Sequence, residues 1–160
     1  MTRTCLHGSA LAETILMMVQ RNIQSLNPKF RIDIRPLQWS TMLDGYSTRK
    51  FPMLNGRWAL DFADPHGSIF GLMHSSGYYA KGQGYANPQA DRLIEEAVRE
   101  LDPEKRRALY AKLQEIAHED VPQIYTLDTS NVEALRSWVK GWTYNPIVLY
   151  GYFYPVFKAE

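Results

Sequence analysis

A chain of 160 residues has room for one domain with a hydrophobic core, and 45% apolar with 22% charged residues is the make-up of an ordinary globular protein. Eighteen basic against 17 acidic side chains leave a net charge of +1, which provides neither a phosphate-neutralising stripe for nucleic acid nor a polybasic patch for a membrane surface. A single cysteine, Cys5, excludes an internal disulfide, lacks the clustered partners of a structural zinc site, and has no apolar run before it to direct lipidation. Met1-Thr2-Arg3-Thr4 leads almost directly into an amphipathic pattern, so no export signal is expected in the chain as written. Leu16-Met17-Met18-Val19 is too short to cross a membrane.

Ser9 is a good N-cap, and Leu11, Ile15, Val19, Ile23 and Leu26 recur at helical spacing, widened by Leu16 and Met18; the pattern predicts a helix over about 9–26, stopped by Asn27-Pro28. His7-Gly8-Ser9 then reads as a strand end and helix cap. Phe30, Ile32 and Ile34 alternate with Arg31, Asp33 and Arg35, the period of a strand with one buried face, ended by Pro36. Ser40 caps a short helix over about 41–49. Residues 54–61 predict a strand that runs into Phe62-Ala63-Asp64-Pro65. Residues 66–86, with glycines at 67, 71, 77, 82 and 84 and tyrosines at 78, 79 and 85, predict a long loop with one helical turn around 69–73. Asn87-Pro88 and Asp102-Pro103 both place a capping side chain before a proline at the first helical position. The first opens a helix striped by Leu93, Ile94, Ala97, Val98 and Leu101. The second opens one striped by Leu109, Leu113 and Ile116, with Ala117 beside it. Residues 122–127 predict a strand, 132–138 a strand or a turn, and 139–158 an aromatic tail broken by glycine and proline. Strands alternating with helices place the chain in the α/β class, with a central sheet flanked by helices.

Trp58-Ala59-Leu60-Asp61-Phe62-Ala63-Asp64-Pro65 resembles the W-x-x-D-[YF]-x-[DE]-P signature of the family 5 solute-binding proteins of oligopeptide, dipeptide and nickel ABC importers. Nearly the whole chain continues the resemblance. Asn27-Pro28-Lys29-Phe30 looks like the link from a lobe's first helix into its strand. Tyr85-Ala86-Asn87 with Asp91, Leu93 and Ile94 is similar to the family's Y-x-N-x-x-x-D-x-L-I helix start. Asp102, Arg106, Leu109 and Tyr110 resemble its D-x-x-x-R-x-x-L-Y helix. Glu119-Asp120-Val121-Pro122 resembles its E-D-x-P segment, and Val139-Lys140-Gly141-Trp142 with Tyr144-Asn145-Pro146 its closing segment. No motif is decisive alone, but their order is specific.

The resemblance implies one lobe of a type II periplasmic-binding-protein-like fold. In that family two lobes clamp a solute, usually a peptide, and the closed form docks on an importer permease. The chain corresponds to the carboxy-terminal lobe, a single domain over 1–160 whose tail from about 143 would return to the other lobe. The implied location is periplasmic, or extracellular at the membrane, for a full-length parent, and no cofactor is called for. The resemblance also implies that Asp61 pairs with the amino terminus of a peptide ligand, through a charge-assisted bond in a desolvated cleft. As the end of a strand in an open α/β sheet, Asp61 also stands where such sheets present ligands. Trp58, Phe62, Tyr78 and Tyr79 are the candidate cleft walls, with packing onto their own lobe as the competing role.

His66 and His74 lie eight apart, without the spacing of a known metal site. No nucleophile is paired with a base and an orienting group, so an enzyme is not expected. Two further expectations follow from a half-clamp. One wall alone holds a solute weakly, and the face meant for the other lobe favours self-association. The other reading of the same residues is a stand-alone ligand-sensing or protein-interaction module built on that lobe.

Overall fold

The computed structural model describes residues 2–6, 10–128, 132–145 and 152–159. His7, Gly8, Ser9 and Tyr150 lie outside the described residues, and with them the expected cap of the first helix. A small parallel sheet has the order β2-β1-β3, with β1 Thr2–Leu6 central, β2 Ile32–Pro36 on one side and β3 Met53–Leu54 on the other. Thr2 to Leu6 pair in register with Ile32 to Pro36, while β3 pairs only through Thr4 with Met53 and Cys5 with Leu54. Parallel neighbours need a crossover, and α1 Ala10–Leu26 provides the one between β1 and β2. It buries Ala12 and Leu16 and sends the Gln20 side chain to the Ile32 carbonyl (2.9 Å). Leu11 and Leu26, at the ends of the expected stripe, are exposed.

The expected strand over 54–61 is corrected to the two residues of β3. Residues 55–60 have no strand pairing among the described residues; Trp58 packs against Gly71 instead and draws the chain off the sheet. The second helix, α2 Trp39–Ser47, starts earlier than expected. Gln38 occupies the capping position without a side-chain bond, and Ser40 falls in the first turn.

The segment 66–86, expected as a loop with one helical turn around 69–73, holds two helices, α3 Pro65–Met73, which contains that turn, and α4 Tyr78–Gln83. Asp64 caps α3 by accepting the His66 amide, with Pro65 at the first helical position. Gly84 ends α4 with φ +75°. Next come α5 Pro88–Ala97, capped by Asn87, and α6 Pro103–Asp120, capped by Asp102. The expected stripe of α5 overran its end: Val98 and Leu101 are exposed. Met73, Ala90, Ile94 and Leu113 form the buried centre of this helical layer, packed around by Ile69, Leu72, Leu93, Tyr110 and Ile116.

Residues 122–127, expected as a strand, have no strand partner among the described residues and lie exposed from 124 onward. Val121 takes a left-handed turn at the end of α6 (φ 43°), and Pro122 donates no backbone hydrogen bond, so the chain leaves along α3 instead. Gln123 donates to the Leu72 carbonyl there (3.2 Å). Within 132–138 a turn closes on the Val139 amide and the Arg136 carbonyl (2.9 Å). Beyond it, β4 Val139–Lys140 pairs antiparallel with β5 Phe157–Lys158.

Candidate ligand-binding surface

Past β3 the backbone leaves the sheet and crosses the helical layer without regular structure until α3 begins. What fixes its path is side-chain packing. Trp58 lies in a slot floored by Gly71 of α3, where a Cβ would stand 2.7 and 2.8 Å from the indole Cζ2 and Cη2. Only a residue without a side chain leaves room there. The Tyr79 ring meets Trp58 edge-on at 5.5 Å, and the Tyr79 hydroxyl donates to the Arg57 carbonyl (2.9 Å). Tyr79 also touches Tyr78 and Tyr46, with ring centroids 5.2 and 5.4 Å away. Tyr46 is buried on α2, packs against Gly82, and donates its hydroxyl to the Tyr79 carbonyl.

Burial is the main reason that the Tyr46 and Tyr79 hydroxyls are both held above the ordinary tyrosine range. They are proton donors that hold shape rather than bases.

Beyond Trp58, Leu60 and Phe62 straddle Gly67 at the start of α3, each reaching 3.3 Å from where a Cβ would be. Asp61 stands between them, exposed, in a bend. Its carboxylate has no hydrogen-bond or ion-pair partner among the described residues. The structure therefore gathers Trp58, Tyr78 and Tyr79 in one aromatic cluster and sets Asp61 and Phe62 just beyond it. It places Asp61 on a clamped irregular segment, which corrects its expected position at a strand end. Trp58, a candidate cleft wall with packing onto its own lobe as the competing role, packs one edge and exposes 40%.

Asp64 closes the segment. Both of its oxygens accept from Arg106 Nη2 of α6 (2.8 and 2.9 Å), and one also accepts the His66 amide (2.8 Å). Arg106 is itself tied down: Nε donates to the Ala97 carbonyl (3.0 Å), Nη2 reaches the Tyr110 hydroxyl (3.2 Å), and the guanidinium lies 5.1 Å from the Tyr110 ring centre. The Arg106 hydrogen bond, reinforced by the His66 amide, holds the Asp64 carboxyl below the ordinary aspartate range, although partial burial opposes it. The sequence carries Asp64 and Arg106 in two motifs but does not pair them, and Tyr46 stands in neither. The fixed order of Asp64 and Arg106 within two recurring motifs was the available sign of the first pair. Tyr46 carries no sign beyond being aromatic.

Other motif residues do the same work elsewhere. The Tyr85 hydroxyl and the Asn87 amide both donate to Asp120 Oδ2 (2.6 and 2.7 Å), joining the start of α5 to the end of α6. These bonds hold the Asp120 carboxyl below its ordinary range, and burial first, then Asp120, raises the Tyr85 hydroxyl. Asp91 accepts the Ser75 amide (2.8 Å), fixing the turn between α3 and α4. His74 stacks on Phe70 at 4.5 Å and accepts the Ser76 amide at Nδ1 (3.1 Å), so its proton sits on Nε2, 3.6 Å from Glu95. The buried Nδ1 of His66 has no partner among the described residues. No three metal-ligating side chains come together among the described residues.

No family model matches the chain. Individual relatives do. It is 25% identical over 138 residues to the probable D,D-dipeptide-binding periplasmic protein DdpA of Escherichia coli, covering 85% of this chain and 26% of DdpA. It is 30% identical over 121 residues to the periplasmic oligopeptide-binding protein OppA of Haemophilus influenzae, covering 73% of this chain and 22% of OppA. Among solved structures, the murein tripeptide binding protein MppA of Escherichia coli superposes with a TM-score of 0.76 at 22% identity, over 91% of this chain and 28% of MppA. The chain thus spans about a quarter of the length of such relatives (26% and 22%). By sequence and by fold it is related to the solute-binding proteins of peptide ABC importers, as a lobe-sized part of the α/β fold that they share.

Proposed function

We propose that the chain is one lobe of a two-lobed receptor that binds oligopeptides for an ABC importer in the periplasm. The observation that carries this reading is the exposed, uncompensated Asp61 carboxylate, held on a clamped segment between Phe62 and the Trp58–Tyr79 aromatic cluster. A carboxylate in that setting suits the ammonium end of a peptide, because desolvation on lobe closure strengthens the pair. The rims of Trp58, Phe62, Tyr78 and Tyr79 give apolar walls that tolerate varied side chains. The names of the relatives, which describe dipeptide and oligopeptide binding, favour peptides as the solute. They also name periplasmic proteins, which favours that compartment. No helix among the described residues is long and apolar enough to cross a membrane.

The test is calorimetry on this lobe joined to its opposing lobe, with tri- and tetrapeptides as titrants. Asp61→Asn is expected to weaken peptide binding by about tenfold or more, the usual scale for removing the charge from a charge-assisted bond. Blocking the peptide amino terminus by acetylation is expected to weaken binding to the parent and to leave Asp61→Asn little changed. Equal affinities of parent and variant for free peptides would overturn the assignment of Asp61.

A further inference from the structure

We infer that Arg106, in the first turn of α6, is a positioning residue for the ligand-facing segment, acting through Asp64. The inference rests on the reading of residues 58–62 as ligand-facing and adds the device that holds them. The segment carries no regular backbone bonding of its own, so its position is set by its two ends. The near end is the Trp58 slot on Gly71, with the Tyr79 hydroxyl bonded to the Arg57 carbonyl. The far end is Asp64. Its own amide donates to the Phe62 carbonyl (2.9 Å), its carbonyl accepts the Gly67 amide (3.1 Å), and its carboxylate is gripped by Arg106. A line of bonds therefore runs from Ala97 at the end of α5, through the Arg106 guanidinium and Asp64, to the backbone of Phe62, next to Asp61.

Two features make Arg106 more than a cap. The Asp64 cap on α3 is complete with the His66 amide alone, so the guanidinium is not needed to start the helix. Arg106 is also restrained on three sides, by the Ala97 carbonyl, the Tyr110 hydroxyl and the Tyr110 ring, and a restrained donor fixes its acceptor in space. A lysine keeps the charge but loses the fork that reaches Ala97 and Asp64 together.

Amide spectra and hydrogen exchange on the 160-residue chain decide the matter. In Arg106→Gln the amides of 61, 62, 64, 66 and 67 are expected to shift, with those of 64, 66 and 67 exchanging about tenfold faster, the scale of one lost charged hydrogen bond. The interior amides of α6 and the Trp58 indole are expected to hold still. Arg106→Lys is expected to restore part of the protection. Asp64→Asn, which keeps the cap on α3 and removes the charge, serves if Arg106→Gln does not fold, and the same amides are expected to respond. Unmoved amides at 61, 62 and 64 in a folded variant would overturn the inference. If those amides move while the two-lobed protein keeps its peptide affinity, the clamp stands and the ligand-facing reading of 58–62 falls.

Discussion

Asp64 and Gly71 show how single positions shape this surface. Because the Asp64 carboxyl is held below the ordinary aspartate range, the folded state gains stability from its ionised form at pH above that range. The gain disappears as acidification passes through the unfolded value of about 4 toward the lower folded one. Urea midpoints taken from pH 6 downward are therefore expected to fall more steeply for the parent than for Asp64→Asn. The carboxylate is a third exposed, so added salt narrows the difference. At Gly71 an added methyl group collides with the Trp58 indole, and Gly71→Ala is expected to cost about 1–3 kcal/mol in chemical denaturation. The double variant with Trp58→Leu is expected to recover much of that loss, since the collision is with the ring. Sequence reading reached Trp58, Asp61, Phe62, Tyr78 and Tyr79 as candidates through their order in a motif and their place near glycines. It missed the partners beneath them, because Arg106 and Tyr46 act across 42 and 33 residues of chain and no local spacing encodes such distances.

At the scale of elements, the legible parts were those whose signals are local. The alternation from Phe30 to Arg35, the Asn87-Pro88 and Asp102-Pro103 starts, and the apolar repeats through Ile94 and Leu113 each announced an element that formed. Asp102 illustrates the strength of such a signal: its carboxylate accepts the Glu104 and Lys105 amides (2.9 and 3.1 Å). Asp102→Ala is expected to lower thermal stability by about 1 kcal/mol, whereas Asp102→Asn is expected to be nearly silent. The first half of α3 and all of α4 are not legible, because their glycines and tyrosines carry low helix propensity. Burial of Met73 against Ile94 and Leu113 supplies what local preference lacks. Asp64-Pro65 at the start of α3 suits a turn as well as a helix start, so it does not announce the helix by itself. The strand expected at 54–61 failed for the opposite reason. Its apolar content was suitable, but Trp58 finds its packing against Gly71 rather than in a ladder.

At the scale of the whole molecule, the proposed function gives this chain one wall of a two-walled cleft. The 160-residue chain by itself is therefore expected to show peptide affinity weaker than micromolar in calorimetry, since association must first offset several kcal/mol of lost freedom. Tyr144, Phe153, Tyr154 and Phe157 stay largely exposed, as do Ile124 and Tyr125, and apolar surface of this kind favours association. Sedimentation over a tenfold range of concentration is expected to show a rising average mass.

The seat of Tyr46 on Gly82 has a further result for how the chain melts. The sheet with α1 and α2 buries Ala12, Leu16, Ile32 and Met42 outside the centre of the helical layer, and among the described residues α2 meets that layer chiefly where Tyr46 rests on α4. That seat, with the Arg49 hydrogen bond to the Lys81 carbonyl (3.1 Å) beside it, joins the sheet side to the helical layer. Cutting the ring away with Tyr46→Ala should turn a single cooperative transition into two. The signature in scanning calorimetry is a van 't Hoff enthalpy well below the calorimetric one, with the layer around Leu113 outlasting the sheet.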